Sequence, residues 1–372
     1  MDKHVAGILT ANADCLTRAR QAASQIASEG AHIEAGRELT DSVVQILHDA
    51  RLFRLLLPHA LGGDQLDPVS LTCVIEEIAT ADASTAWCLG QGSGCAMAAA
   101  FLTPDAAQRL FGPANAVLAW GAGIQGKAVA VEGGYRVSGK WAFASGSRHA
   151  TLLGGHSYIV EADGQPRLRP DGRQQDLTAL IPRAQATMVD VWHVMGLQGT
   201  GSDSYEVSDL FVAEDDMIDR EERDALHVDA ALYKIPTSLV YAGAFGGVML
   251  GIARGMLRDL TALAQTKTPR GGTSSLRDNP VFQTDLAKLE ARLRATRTYH
   301  LHTLAEVWQG VSNTHTISLA QRLDIRLAAS SNHASPSSGS TAFIWAATVP
   351  AARNRFLGSM LRSSRALTVD RL

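Results

Sequence analysis

The sequence has few cysteines, no excess of one charge and no long apolar run. Its four cysteines, Cys15, Cys73, Cys88 and Cys95, form neither a CxxC pair nor a cysteine and histidine spacing of the zinc type, so neither a metal site nor a disulfide framework is predicted. The 34 basic and 37 acidic side chains are mixed along the chain and leave a net charge of -3, which argues against binding to nucleic acid or to an anionic membrane. No run reaches the ~18 apolar residues of a membrane span, and the N-terminus lacks the pattern of a secretory signal. These absences favour a soluble protein of the reducing cytoplasm with a small-molecule partner.

The chain has 372 residues, of which 46% are hydrophobic, enough for a large core and two or three domains. Amphipathic helical patterns such as "VSLTCVIEEIATA" dominate residues 1–113, and long helical patterns return over residues 226–372. Between them, residues 114–225 contain about six short segments rich in Val, Ile, Tyr and Trp, separated by Gly-Gly, Asp-Gly and Pro turns. The sequence therefore predicts an N-terminal helical domain, a middle β domain and a C-terminal helical bundle with these bounds.

Three details of the N-terminal part can be tested by a structure. The stretch "LTDSVVQILHDARLFRLLLP" predicts a helix that ends at Pro58, and Asp67 is a predicted N-cap of the next helix. The pattern "STAWCLGQGSGCAMAAAFL" predicts a third helix, in which glycines 90, 92 and 94 each cost about 1 kcal/mol relative to alanine. Such glycines indicate close approach to the helix backbone, either by a ligand or by a neighbouring helix.

Four strings in this order resemble the acyl-CoA dehydrogenase superfamily: "LFRLLLPHALGGDQLDP", "EEIATADASTAWCLG", "WAFASGSRHA" and "GLQGTGSDSYEVSDLFV". The resemblance spans almost the whole chain. It implies the α+β acyl-CoA dehydrogenase fold, with an N-terminal helical domain, a middle β-barrel and a C-terminal four-helix bundle.

Within the superfamily, the "STAW", "W-x-F-x-SG" and "GxxGTGS" forms look more like the two-component flavin-dependent monooxygenases. The resemblance implies that reduced flavin (FADH2 or FMNH2) comes from a separate reductase and forms a C4a-hydroperoxyflavin with O2, which oxygenates an aromatic small molecule. Two alternatives stay open. A dehydrogenase acting on an acyl thioester would need a carboxylate base, for which Glu306 and Asp324 are the candidates, although acidic residues on a helix usually form a solvated face. A flavin-free relative would use the scaffold for binding or a non-redox reaction.

The resemblance also implies which residues hold the flavin. Trp141 and Phe143 would lie beside the isoalloxazine, Ser145 and Ser147 would donate hydrogen bonds to its N5 or O4 edge, and Gly146 would allow close approach of the backbone. The alternative for this stretch is a barrel strand with core aromatics and a Ser-Gly turn. Further cofactor contacts are implied for Trp120, Gly121, Thr200 and Ser202, and Trp120 is equally compatible with core packing.

The loop "PRGGTSSLRDNPVFQ" resembles one that, in tetrameric relatives, reaches the cofactor phosphates of a neighbouring subunit. Arg270 and Arg277 suit this work, since a guanidinium fork matches phosphate geometry. The resemblance thus implies a homotetramer, and the alternative is a loop that only faces solvent.

Two departures from the family pattern restrict the class of substrate that the resemblance implies. Phenol-hydroxylating relatives often carry a histidine where this chain has Cys95, and a second one near Ser359 or Leu361. A phenol benefits from a base with a pKa near the working pH, whereas an indole, amine or sulfide needs none. The absence of both histidines favours a non-phenolic, indole-like substrate, or else an enzyme that has changed or lost its oxygenation chemistry.

The remaining implied residues face the substrate. Trp87, Gln91 and Cys95 would surround it, and Arg148 would form a cationic mouth suited to a carboxylate. His149 is the candidate catalytic histidine, and a structural histidine is the alternative.

Overall fold

The computed structural model describes residues 3–222, 225–269 and 272–331, and its elements follow the predicted order. Seven helices come first: α1 Lys3–Ala11, α2 Ala13–Ile26, α3 Gly30–Gly36, α4 Asp41–Asp49, α5 Pro68–Ala81, α6 Ala83–Ala96 and α7 Pro104–Phe111. Eight strands follow: β1 Leu118–Trp120, β2 Gly126–Val131, β3 Gly134–Ala144, β4 Leu152–Val160, β5 Asp176–Pro182, β6 Thr187–Val189, β7 Asp203–Ala213 and β8 Met217–Ile218. Four more helices complete the described chain: α8 Ala231–Lys234, α9 Thr237–Thr266, α10 Pro280–Thr314 and α11 Leu319–Ser331.

The helix starts in the N-terminal part follow from local capping. The Asp67 carboxylate accepts from the backbone N–H groups of Val69 and Ser70, which confirms the predicted N-cap of α5. The prediction of a helix running to Pro58 is wrong, because α4 ends at Asp49 and Arg51 takes a left-handed conformation with φ 57°. The apolar residues after this break form short 3-10 turns instead.

The strands form one eight-stranded sheet in the order β6-β7-β3-β2-β4-β5-β8, with β1 paired to β4. Side chains from non-neighbouring strands, such as Trp141 of β3 and Ile181 of β5, share one buried cluster, so the sheet wraps around its own core. Trp141 stacks on Tyr205 in this core with ring centroids 5.4 Å apart. Residues 161–175, "EADGQPRLRPDGRQQ", connect β4 and β5.

Helix α9 packs closely on α5 through glycines. A β-carbon on Gly251 would collide with the backbone oxygen of Glu76, and one on Gly247 would approach that of Thr72. Helix α9 is long and apolar enough to cross a membrane, but 61% of its most apolar window is buried inside the protein, as expected of a core helix.

One glycine of α6, Gly94, is required by helix packing. A β-carbon on Gly94 would overlap the ring of Tyr241 from α9, whereas Gly92 has more space around it. The second of the two alternatives for this helix, a close neighbouring helix, therefore accounts for Gly94.

The domain bounds 1–113, 114–225 and 226–372 stay predictions. The helical pattern predicted for residues 350–368 lies outside the described residues.

Candidate active site

A cleft of about 640 Å³ lies between α6, β1, the end of β3, the segment that precedes β7, and α9. Its size is that of an ordinary site for a small molecule or cofactor. Eight of the sequence-predicted residues line it: Trp87, Gln91, Trp120, Gly121, Phe143, Ser145, Thr200 and Ser202.

A β-bulge near the end of β3 aims Phe143 into the cleft. In the pairing of β3 with β7, Trp141 lies opposite Tyr205 and Ala144 lies opposite Asp203, so β3 contains one extra residue. Phe143 takes a left-handed φ of 61°, and 63% of its side chain is exposed. An aromatic residue held in this conformation costs about 1–3 kcal/mol, which is typical of functional positions.

Next to the bulge, four side chains form a hydrogen-bonded chain along the cleft wall. The Trp87 indole N–H donates to Ser145 Oγ over 3.1 Å, and Ser145 Oγ lies 2.7 Å from Ser202 Oγ. Ser202 Oγ lies 2.7 Å from Thr200 Oγ1, which in turn donates to the carbonyl oxygen of Leu197 over 2.8 Å.

The ends of this chain fix its direction. The Leu197 carbonyl oxygen can only accept, so the Thr200 hydroxyl donates its proton to it. Because each hydroxyl has one proton, Ser202 must then donate to Thr200, and Ser145 must donate to Ser202. Ser145 therefore has no proton left for the cleft. The predicted role of Ser145 as a donor is corrected: in this arrangement its free lone pair makes it an acceptor toward a bound molecule.

Aromatic side chains form the other walls. Trp87 stacks on Phe245 with centroids 4.0 Å apart and an interplanar angle of 6°, and Tyr241 stacks on the same ring at 5.5 Å. Trp192 meets Phe143 edge to face at 6.2 Å and donates its indole N–H to the carbonyl of Leu197. Flat faces and few polar groups suit a planar aromatic ligand.

The far wall carries a partly buried basic group. The Arg220 guanidinium lies 4.9 Å from the ring centroid of Trp120, and His156 meets the same indole edge to face at 5.0 Å. Burial, and secondarily the charge of Arg220, holds the pKa of His156 well below its ordinary value. His156 is therefore neutral near pH 7.

Two residues predicted to contact the flavin lie elsewhere. Trp141 is fully buried in the core of the sheet and donates its indole N–H to the backbone oxygen of His156. The bulge separates it from Phe143, which strand alternation alone would place on the same face. Ser147 is also fully buried, and its hydroxyl contacts the Gly201 carbonyl at 3.5 Å rather than the cleft. Gly146 forms the turn after β3 with φ 80°.

Arg148 does not offer a free charge to the cleft. Its Nε donates to Asp203 over 2.7 Å, and its Nη2 donates to Asp190 over 3.2 Å. Asp203 also accepts from the backbone N–H groups of Val191 and Trp192. The prediction of a cationic mouth at Arg148 is corrected: this side chain positions the segment that carries Trp192.

His149 and Cys95 lie behind the cleft walls. His149 packs 5.6 Å from the ring of Phe53, and burial lowers its pKa to about 4, with smaller effects from the charges of His48 and Arg183. Cys95 is fully buried, its sulfur lies 3.3 Å from the Tyr241 hydroxyl, and burial raises its pKa to about 12. Neither can act as a base toward a ligand in the cleft.

Arg277 is exposed beside Asp278 and does not line the cleft. Arg270, Ser359 and Leu361 lie outside the described residues. Glu306 and Asp324 face solvent on α10 and α11, and no carboxylate lines the cleft within the part of the chain that the structure describes. Over the same residues, no group of three or more histidine, cysteine or acidic side chains could hold a metal ion.

The cleft residues that the sequence did not indicate include five with an aromatic, imidazole or charged side chain: His156, Trp192, Arg220, Tyr241 and Phe245. Tyr241 and Phe245 are four residues apart on α9 and look like part of an apolar core stripe. Arg220 stands in the charged run "DREERD", which is typical of a solvated surface. Only Trp192, an isolated aromatic near the "GLQGTGS" string, carried a usable signal.

Comparisons with known proteins agree with this architecture. The model of the acyl-CoA dehydrogenase N-terminal domain matches residues 16–114, and that of the acyl-CoA dehydrogenase C-terminal domain matches residues 244–342. The chain is 30% identical over 277 residues to the indole-3-acetate monooxygenase of Pseudomonas putida, covering 74% of this chain and 68% of that protein. It is 31% identical over 229 residues to the flavin-dependent monooxygenase oxygenase subunit HsaA of Rhodococcus jostii, covering 59% of this chain and 57% of that protein.

The solved structure of XiaF from Streptomyces sp., in complex with FADH2 and glycerol, has the same fold. Its TM-score to this chain is 0.80 at 21% identity, and the superposition covers 98% of both chains. Together with the matched domains and the relative from Pseudomonas putida, this likeness shows that the chain belongs to the acyl-CoA dehydrogenase superfamily, among the oxygenase components of the two-component flavin-dependent monooxygenases.

Proposed function

We propose that the protein uses reduced flavin and O2 to oxygenate an indole-like, non-phenolic aromatic molecule, with the flavin supplied by a separate reductase. The observation that carries this proposal is the cleft itself, in which the aromatic walls and the Ser145 hydroxyl chain meet at the bulge of β3. The name of the relative from Pseudomonas putida supports an indole ring in the substrate.

The described residues fit a flavin. Trp87, Phe143 and Trp192 provide flat faces for the ring system, and Ser145 offers an acceptor for an N–H group such as that on N5 of reduced flavin. Gly121 also lines the cleft, and its lack of a side chain is required by packing, since a β-carbon there would collide with Trp141 and Ala142. When bound, the flavin would supply the activation of O2, and these side chains would orient it and limit the access of water.

The cleft favours a substrate that needs no deprotonation. His156 is neutral, and its Nδ1 already accepts hydrogen bonds, so it has no lone pair for a substrate proton. Cys95, at the position of the family histidine, keeps its proton at neutral pH. Among the described cleft residues no group can serve as a base near pH 7, which supports an indole over a phenol.

We also propose that the protein is a cytoplasmic homotetramer. All four cysteines are buried and unpaired, which suits a reducing compartment. On α11, Leu319, Leu323 and Leu327 expose 83%, 55% and 50% of their surface along one helix face, as a subunit interface would require.

The proposed reaction is tested by supplying the protein with a flavin reductase, NADH, indole-3-acetate and ¹⁸O2, and analysing the product by mass spectrometry. We expect a product with one atom of heavy oxygen, formed only when both proteins are present. A product labelled from water, or one formed equally by the reductase alone with catalase added, would contradict the proposal.

A further inference from the structure

Among the described residues that line the cleft, Arg220 is the one cationic side chain, since His156 is neutral near pH 7. It lies against the face of Trp120, and its Nε donates to Thr178 Oγ1 over 2.9 Å. Its Nη2 lies 3.2 Å from His156 Nδ1. These contacts hold the guanidinium in place but leave its charge unmatched.

The two carboxylates whose charges act on Arg220, Asp176 and Glu221, are engaged by other arginines. Asp176 lies 3.6 Å from Arg169, and Glu221 accepts from Arg173 over 2.9 Å. Within the described part of the chain, no carboxylate comes within 4.0 Å of Arg220. A partly buried cation without a carboxylate partner has lost hydration with no ion pair in return, which favours a ligand that brings the negative charge.

The hydrogen bonds around Arg220 show which donors stay open. A guanidinium can only donate, so His156 Nδ1 must accept from it, and the histidine proton must lie on Nε2. Thr178 accepts from Arg220 and donates to the same Nδ1 over 2.8 Å. Nη1 of Arg220 and Nε2 of His156 consequently have no partner among the described residues, although both side chains line the cleft.

We propose that Arg220, assisted by Nε2–H of His156, binds a carboxylate of the substrate, so that the enzyme acts on aromatic carboxylic acids. This inference rests on the proposed function and names its substrate class. A single guanidinium with one open face matches one carboxylate, whereas a phosphate group would call for more positive charge than the cleft provides. Trp120 and Tyr241 beside Arg220 leave room for an aromatic body next to the anion.

The test is a calorimetric comparison of indole-3-acetate with indole-3-acetamide, which has nearly the same shape but no charge. We expect the unmodified protein to bind the acetate at least ~10-fold more tightly, since hydrogen bonds to charged groups are the stronger class. In Arg220→Gln this preference should disappear while the affinity for the amide changes little. Arg220→Lys, which keeps the charge but not the fork, should retain part of the preference.

Arg109→Gln serves as the control, because it removes an arginine that pairs with Asp216 at the surface, away from the cleft. If Arg220→Gln fails to fold, Thr178→Val replaces it, since loss of the hydroxyl that orients the guanidinium should weaken the preference. Equal binding of acetate and amide by the unmodified protein would overturn the proposal.

A loss of flavin affinity in Arg220→Gln with an unchanged preference for the acetate would also overturn it, and would assign Arg220 to the cofactor. Because the assay measures binding without turnover, its failure is distinct from failure of the oxygenation reaction. If the protein prefers the acetate but forms no oxygenated product, the carboxylate site is supported and the proposed oxygenation reaction is contradicted.

Discussion

The hydroxyl oxygens of Ser145 and Ser202 lie 2.7 Å apart, and this bond leaves Ser145 as a hydrogen-bond acceptor toward the cleft. Ser145→Ala removes the acceptor and breaks the chain that begins at Trp87. We expect the transient absorbance that follows mixing of reduced flavin with O2 to decay about tenfold faster, the effect of losing one hydrogen bond of about 1.4 kcal/mol. Stopped-flow spectroscopy measures this decay.

Ser157→Ala is the matched control for that change. Ser157 is a buried serine of β4 whose hydroxyl donates to the Gly155 carbonyl of its own strand, away from the cleft. Its decay rate should equal that of the unmodified protein. If Ser145→Ala also decays at that rate, the hydroxyl chain has no part in stabilising the flavin.

Phe143 combines a strained backbone with an exposed ring, so its two effects can be separated. Phe143→Gly should raise the free energy of unfolding by up to ~1 kcal/mol, because glycine adopts φ 61° freely, while flavin affinity falls. Phe143→Leu keeps the strain and removes only the ring, so it should weaken flavin binding without stabilising the protein. Denaturant unfolding and flavin titration of both variants test this; a glycine variant with unchanged flavin affinity would show that the ring does not contact the cofactor.

We expect Arg148 to contribute to the stability of the fold rather than to the binding of a negatively charged substrate. Arg148→Gln leaves Asp203, which is 3% exposed, without its ion-pair partner, and we expect a loss of about 3 kcal/mol in the free energy of unfolding. The double variant Arg148→Met with Asp203→Asn should lose less than the sum of the single changes, since the two side chains act together. Additive losses in urea unfolding would contradict this coupling.

The lowered pKa of His149 predicts how the free energy of unfolding depends on pH. Its pKa is lowered to about 4 in the folded protein from an ordinary value of 6.5, so between these values the unfolded chain binds more protons. Stability should therefore fall as the pH drops from 6.5 to 4, by at most about 1.4 kcal/mol per pH unit from this group. His149→Phe, which preserves the packing on Phe53, should show a shallower decline, whereas parallel curves for the two proteins would mean that His149 titrates normally.

The order of helices and strands was predictable because it depends on periodic patterns that extend over many residues. The cap at Asp67 was predictable from residue type, because an aspartate before an apolar helical pattern is a typical N-cap. The end of α4 was not, because a left-handed Arg51 is not specified by residue type. The apolar residues that follow Arg51 continue the helical pattern in the sequence, although the helix itself ends at Asp49.

The candidate site was predictable as a region but not in its orientation. One extra residue in β3 reverses the facing of Phe143 relative to Trp141, and no feature of "WAFASGSRHA" marks that bulge. The charge of Arg148 was visible in the sequence, but its partners Asp190 and Asp203 lie 42 and 55 residues away. The place of Arg220 in the cleft could not be predicted for the same reason, since only the fold brings it beside Trp120.

Flavin-dependent oxygenation is tested most directly by rapid mixing of the protein, loaded anaerobically with FADH2 or FMNH2, with a buffer containing O2. We expect a transient species whose absorbance differs from that of reduced and of oxidised flavin, and whose lifetime exceeds that of the same species formed by free flavin under the same conditions. Direct conversion of reduced to oxidised flavin, at the rate seen without protein, would contradict it.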